Sequence, residues 1–302
     1  VSSERNGLLV LDKPPGITSR DAVNAVVRLV GRKMPVGHAG TLDPLATGVL
    51  VVALGSATRL VEYVQEMAKT YAATVRLGAR SDTDDADGLI TPTASPRVPD
   101  LPEIEADLAS RSGGWILQTP PRYSALKVAG RRAYDLARSG AKPDLSPRRV
   151  RIDRIAVIRY AWPDVELVVD CGSGTYIRSI ARDLGDGLGC GGYITALRRT
   201  RIGPFEVATA LGVEGLSQES IDAALQPPGR ALAGWPRVDL TADEASRVRH
   251  GQALSGSRAE ASGMLEAGMM ALFGPSGELV AVGHYGGNGT AIRPRKVLVT
   301  GG

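Results

Sequence analysis

The side chains most able to do chemistry in this chain lie in one short run, Gly37-His38-Ala39-Gly40-Thr41-Leu42-Asp43-Pro44-Leu45-Ala46-Thr47-Gly48. Its three glycines permit backbone conformations that other residues avoid, so the segment can approach another backbone or a ligand closely. Asp43 precedes Pro44, which disfavours helical geometry at the aspartate and keeps its side chain in an extended stretch. The run therefore presents one carboxylate, and the chemistry open to it is that of a lone acid. The simpler alternative is an aspartate that only caps its own turn through backbone hydrogen bonds.

Other strings that resemble reactive motifs fail on context. Gly187-Leu188-Gly189-Cys190-Gly191-Gly192 matches the dinucleotide-binding spacing, yet it follows a predicted helix instead of a strand. Asp82-Thr83-Asp84-Asp85-Ala86-Asp87-Gly88 has Ala86 at a ligand position of a calcium loop and no closing glutamate, so it reads as a polar turn. Neither a phosphate-binding P-loop string nor a zinc-hydrolase helix motif occurs. Two cysteines, Cys171 and Cys190, and three histidines form no spaced metal cluster, and no metal is expected.

The elements that must position the glycine-rich run can be read from periodicity. Gly7 to Asp12 is an apolar strand closed by Lys13-Pro14-Pro15-Gly16, and Thr18 or Ser19 caps a helix with Ala22, Val23, Val26, Val27 and Val30 on one face. Val36 to Gly48 reads as loop, Val49 to Leu54 as a buried strand, Ser56 to Met67 as a short helix, and Lys69 to Leu77 as an alternating strand. Short helices are expected at Pro102 to Ser110 and Gly130 to Ser139, then strands at Arg149 to Tyr160 and Val165 to Cys171. A helix from Tyr176 to Leu188 and a strand from Ile194 to Arg199 follow. Beyond Trp235 the pattern predicts a capped helix near Thr241 and a hairpin joining Met269–Phe273 to Glu278–Val282, in a unit small enough to need docking on the rest.

The chain has 302 residues with 43% hydrophobic and 23% charged, the balance of a folded globular protein of one large and one small domain. No stretch reaches the roughly 20 apolar residues of a membrane helix, and the first fifteen residues do not read as a signal peptide. With so few cysteines, a reducing, cytoplasmic setting is expected. Net charge is only +4, but it is unevenly spread. Ser81 to Asp107 is acidic, whereas basic residues gather at Lys127, Arg131 and Arg132, at Arg148, Arg149, Arg151 and Arg154, and at Arg198, Arg199 and Arg201. Such clusters either meet nucleic acid or coat solvated strand faces.

The string Gly37 to Gly48 resembles the catalytic motif of TruB-type RNA pseudouridine synthases. Five further segments agree in order: Leu11-Asp12-Lys13-Pro14, Lys69-Thr70-Tyr71, Gln118 to Lys127, Gly174-Thr175-Tyr176-Ile177-Arg178 and Leu197-Arg198-Arg199. The resemblance spans roughly residues 7 to 205, and the form of Gln118 to Lys127 is nearer the stand-alone bacterial tRNA pseudouridine-55 synthases than their guide-RNA-dependent relatives. It implies an α+β fold, a mixed β-sheet catalytic domain over 1–230 and a small β-rich, PUA-like RNA-binding domain over 235–302. It implies isomerisation of uridine 55 in the T loop of tRNA, with no cofactor and no guide RNA, by a chain expected to be monomeric.

By carry-over, Asp43 is the nucleophile, whether toward the sugar, the base or a glycal route. Arg178 is its partner, since a guanidinium nearby keeps a carboxylate ionised. Tyr71 offers a face for the flipped uracil, and its hydroxyl is a candidate for proton removal at carbon 5. Tyr176 and Leu197 match pocket walls, and His38 matches a position that holds the opened loop. Lys13 either reaches an RNA phosphate or covers the first strand. Lys127, Arg131, Arg132, Arg148 and Arg149 are expected to contact phosphates, giving affinity that weakens with salt. The rival reading is a tRNA-binding folding helper with little or no isomerase activity, which would not need a nucleophile.

Overall fold

A computed structural model describes residues 5–94, 96–123, 127–128, 131–132, 145–263 and 266–298. Its main body is a ten-stranded mixed sheet. The strands run in the order Leu211–Gly212, Gly7–Lys13, Thr47–Leu54, Gly192–Ile202, Lys69–Leu77, Asp164–Cys171, Arg148–Ala161, Gly114–Gln118. Val36–Ala39 and Phe205–Glu206 branch from it. Apart from the short Leu211–Gly212 strand, which runs parallel to Gly7–Lys13, the sheet joins two antiparallel blocks through a parallel contact, Arg198 and Arg199 beside Thr47 and Gly48. The site forms at this seam.

The two blocks are apolar for different reasons. Thr47–Leu54 is buried along nearly its whole length because both its faces are covered. Leu50, Val52 and Leu54 pack with Ala22, Val23 and Val26 of the Ser19–Val30 helix, while Val49, Val51 and Ala53 pack with Leu60, Val64 and Phe205 on the other side. Lys69–Leu77 instead alternates, with Tyr71, Ala73, Val75 and Leu77 facing a core shared with Ile177, Ile180 and Leu184 of the Ile177–Gly187 helix. Its even-numbered residues face outward.

Several expected elements are present with shifted bounds. The Thr18 cap is a capping box with Asp21, and the Ser56–Met67 helix is a 3-10 turn, Gly55–Leu60, continuing as Val61–Glu66. The expected loop from Val36 is shorter, because Val36–Ala39 pairs antiparallel with Val51 to Leu54. Arg131–Arg132 is a strand paired with Lys127–Val128, which displaces the first turn of the helix expected over Gly130–Ser139. The remainder of that helix lies outside the described residues. The glycines near 187 serve close packing: a Cβ on Gly185 would lie 2.1 Å from the Gly191 carbonyl carbon, so the helix can lie against the next strand only with glycine there.

The chain beyond Trp235 forms a separate four-stranded sheet, Arg237–Asp239, Gly268–Phe273, Leu279–Tyr285 and Ile292–Val297. It docks as its small size requires. Ala271, Leu279, Val282 and Leu298 share one apolar cluster with Val49, Val51 and Leu60 of the main body. Trp235 meets Tyr63 edge to face at 5.0 Å, and Arg59 donates to the Val297 carbonyl at 2.6 Å. No helix among the described residues is long and apolar enough to cross a membrane.

Candidate active site

The loop that carries Asp43 is held by its backbone from three sides. Ser19 Oγ, at the start of the first helix, accepts from Leu42 N at 2.8 Å and donates to Leu42 O at 3.1 Å. Lys13 Nζ, fully buried, donates to the carbonyls of Pro14, Ile17 and Pro44 at 2.9, 2.8 and 3.3 Å. Arg199, also buried, donates to Val49 O at 2.8 Å, Gly40 O at 3.0 Å and Thr41 O at 3.4 Å. Gly48 takes φ +98°, and a Cβ there would fall 2.2 Å from the Arg199 carbonyl oxygen, so the loop can rejoin the sheet only through glycine. A loop anchored on so many carbonyls presents its one carboxylate in a defined place.

Asp43 Oδ2 accepts from Arg178 Nη2 at 2.8 Å. Arg178 sits in the first turn of the Ile177–Gly187 helix with 6% of its side chain exposed, which sets aside a surface ion pair. Its other arm reaches Asp85 Oδ2 at 3.2 Å and the Thr83 carbonyl at 2.9 Å, and Nη2 also donates to the Tyr123 carbonyl at 2.8 Å. The guanidinium is thus shared between two carboxylates. Gln118 fixes the helix start in place of a side-chain cap: its amide oxygen accepts from Tyr176 N at 2.9 Å, and its NH2 donates to Tyr176 O at 3.1 Å.

These elements enclose a cavity of ≈ 560 Å³. Asp43, Tyr71, Tyr176, Arg178 and Leu197 all line it, so five of the residues singled out in sequence meet there. Tyr71 and Leu197 stand on neighbouring antiparallel strands, with Tyr71 opposite Arg199 in register. Lys69 also lines the cavity, its ammonium donating to Gln65 O and Met67 O. A wider groove of ≈ 720 Å³ adjoins it and shares Leu197. That groove is lined by Pro44, Leu45, Ala72, Thr74 and Arg198 and holds neither Asp43 nor Arg178, so the reactive groups belong to the smaller cavity. Among the described residues, no three His, Cys, Asp or Glu side chains converge where they could hold a metal.

Electrostatics follow from enclosure. Burial raises the Asp43 pKa above the usual carboxylate range, although 42% of its side chain faces the cavity; Arg178 pulls the other way without cancelling it. The guanidinium therefore opposes the burial penalty and does not leave an unusually acidic aspartate. Burial pushes Lys13 and Lys69 down to about 8 each, with Asp43 opposing the shift at Lys13. The Tyr71 phenol is raised by burial, against the pull of Arg199, which favours its protonated form at neutral pH and makes it a poor base.

The remaining sequence candidates are placed elsewhere. Lys13 lies beneath the loop with its ammonium on carbonyls, a geometry that positions Pro44 and leaves no reach to a phosphate. His38 is on the Val36–Ala39 strand, opposite Val52, and does not line the cavity. Arg148 and Arg149 open the long Arg148–Ala161 strand and are exposed. Lys127, Arg131 and Arg132 form a two-strand ladder whose side chains lie outside the described residues.

Sequence reading missed Asp85, Ser19, Gln118, Lys69 and Arg199 as parts of the site. Asp85 was hidden in what reads as a polar turn, and it is a turn: Thr83 Oγ1 donates to Asp85 Oδ1 at 2.5 Å, and Asp87 N does so at 3.2 Å. Only its docking on Ile194, whose N–H donates to Asp84 O at 3.1 Å, brings it to Arg178. The density of acids at 82–87 was the one available signal.

A carboxylate paired with a guanidinium thus stands beside an aromatic wall in one cavity on the mixed sheet, the arrangement of a candidate enzyme active site. Family models agree along the chain: TruB family pseudouridylate synthase (N terminal domain) over residues 28–177, tRNA pseudouridylate synthase B C-terminal domain over 178–233, and tRNA Pseudouridine synthase II, C terminal, over 235–299. The chain is 46% identical to the tRNA pseudouridine synthase B of Gluconacetobacter diazotrophicus over 258 residues, 83% of each chain. It is 42% identical to that of Mycobacterium sp. (strain KMS), over 91% of each. Among solved structures, a chain in the crystal structure of a Cbf5-Nop10-Gar1 complex matches with TM-score 0.73 and 28% identity, covering 98% of this chain and 86% of that one. The chain belongs to the TruB family of pseudouridylate synthases.

Proposed function

We propose that this chain converts uridine 55 in the T loop of tRNA to pseudouridine, with Asp43 as nucleophile, acting in the cytoplasm as a monomer without guide RNA or cofactor. The choice of tRNA rests on the names of the relatives, and the choice of position 55 on the stand-alone form of the Gln118 to Lys127 segment. The observation that carries the reading is the Asp43–Arg178 pair, 2.8 Å apart, set against the Tyr71 wall of one cavity.

The reaction breaks the bond between N1 and C1′ of the uridine, turns the uracil over, and joins C5 to C1′. The proton lost from C5 is balanced by one gained at N1. Extruding the base from a stacked loop costs a few kcal/mol, and stacking on Tyr71 returns about 1–3 kcal/mol. Ionised Asp43 attacks, held in line by the anchored loop, while Arg178 stabilises its charge. Attack on the sugar, attack on the base and a glycal route are each open to a carboxylate here. Tyr71 acts as a face for the uracil more readily than as the base at carbon 5. Phosphate contacts fall to Arg148, Arg149, Lys127, Arg131 and Arg132, and the 235–302 domain adds RNA affinity.

The test is pseudouridine formation in unmodified tRNA transcript, mapped to the nucleotide, for wild type and Asp43→Asn. Conversion at uridine 55 by wild type alone, with tRNA binding kept in Asp43→Asn, is expected. Binding by both with conversion by neither would overturn the enzyme reading in favour of a folding helper.

A further inference from the structure

Trp115 and Leu117 are 62% and 69% exposed on the Gly114–Gln118 strand at the end of the main sheet. Gln118 is buried and Ile116 partly so, which places Trp115 and Leu117 together on the opposite, open face. Among the described residues this strand pairs only with Arg148–Ala161, where Arg149 lies opposite Leu117 and Arg151 opposite Trp115. The Arg149 guanidinium stands over the Trp115 ring, 5.4 Å from its centroid. Arg151 is paired with Asp153 at 2.6 Å. Arg148, Arg149 and Arg154 are exposed and carry no ion pair among the described residues.

An exposed indole with the Arg149 guanidinium over it, and Arg154 exposed further along the neighbouring strand, matches the chemistry of an unpaired nucleotide, whose base stacks on the ring while its phosphates meet the cations. A purely apolar partner would leave those charges unmatched. Along the strand the patch lies near the active site, although it opens on the opposite face of the sheet. Gln118 holds Tyr176 at the cavity wall, and Trp115 lies three residues up the same strand, about 10 Å away.

We propose that Trp115, with Leu117, Arg149 and Arg154, is a stacking platform for an unpaired base of the RNA substrate other than the one held at Asp43. It rests on the RNA-modifying reading above and adds to it a second RNA contact, on the other face of the sheet.

The test uses the full chain and unmodified tRNA transcript. Trp115→Ala is expected to raise Kd about 5- to 150-fold while the single-turnover rate at saturating enzyme stays unchanged, and Trp115→Phe, which keeps a ring, to stay within about threefold of wild type. Arg149→Ala should lower the salt slope of binding by about one. The emission of Trp115, taken as the difference between wild type and Trp115→Phe, should be quenched when tRNA is added. Unchanged Kd in Trp115→Ala together with unquenched emission would overturn the proposal. So would tRNA affinity left intact while Trp115→Ala loses a self-associated form, which would make the patch a contact between copies. Absence of turnover by the wild type bears on the proposed reaction instead, because Kd and quenching read the platform without turnover.

Discussion

Arg178 and Asp85 meet at 3.2 Å with 6% and 7% of their side chains exposed, a buried pair standing directly behind the Asp43 carboxylate. Arg178 therefore does two things at once: it opposes the burial penalty at Asp43, and its own charge is balanced from the protein side by Asp85. Asp85→Asn should leave Arg178 under-compensated, since breaking one partner of a buried pair costs about 3–5 kcal/mol of stability. A lower melting temperature and a slower single-turnover rate at saturating enzyme are expected, with tRNA Kd little changed. An unaltered rate would show that Asp85 is not needed to hold Arg178.

Asp43 titrates above the ordinary carboxylate range because of burial, so the folded protein binds that proton more tightly than the unfolded chain does. Its contribution to stability is therefore full below the unfolded carboxylate pKa and is lost as pH rises through the folded one. Ionised Asp43 costs stability at neutral pH, and Asp43→Asn should melt at the same or a higher temperature than wild type at pH 7 while losing turnover. The advantage should shrink as pH is lowered toward 4. In parallel, the single-turnover rate of wild type should fall on acidification at a pH above that of an ordinary aspartate. Melting curves and a pH–rate profile check both.

Arg199 holds two loop carbonyls, Gly40 and Thr41, and the Val49 carbonyl of the strand that follows, from a buried position, and its planar fork is what lets one side chain reach them all. Arg199→Lys keeps the charge and loses that fork. A fall in the rate at saturating enzyme is expected, on the order of 100-fold for a misplacement of about 1 Å, with Kd for tRNA largely retained. Equal rates would remove Arg199 from the positioning of Asp43.

Tyr71 separates stacking from acid–base work. Tyr71→Phe keeps the ring face proposed to stack on the uracil, whereas Tyr71→Ala would lose stacking worth about 1–3 kcal/mol. If stacking is its main service, Phe should keep most of the single-turnover rate and Ala should lose far more. A rate for Phe as low as that for Ala would return the hydroxyl to proton transfer at carbon 5.

Much of this protein is legible along the chain because it depends on local pattern. Alternation marks the Lys69–Leu77 strand, and a continuous apolar run marks Thr47–Leu54. The Asp43-Pro44 step and its glycines mark the loop, with Gly48 confirmed as a place where a Cβ would collide. Asp43, Tyr71, Tyr176, Arg178 and Leu197, which meet at the cavity, stand out along the chain because they sit in distinctive strings. Other features depend on long-range contacts that leave no periodic trace. Asp85 reaches Arg178 across 93 positions only because its turn docks on Ile194. Lys13 looks from sequence like a free cation in a turn, and becomes a buried anchor only once Pro44 folds over it. Local sequence sets which residues can do chemistry; the crossing of two antiparallel blocks at Arg199 and Gly48 decides which of them meet, because burial and hydrogen-bond partners belong to the assembled core.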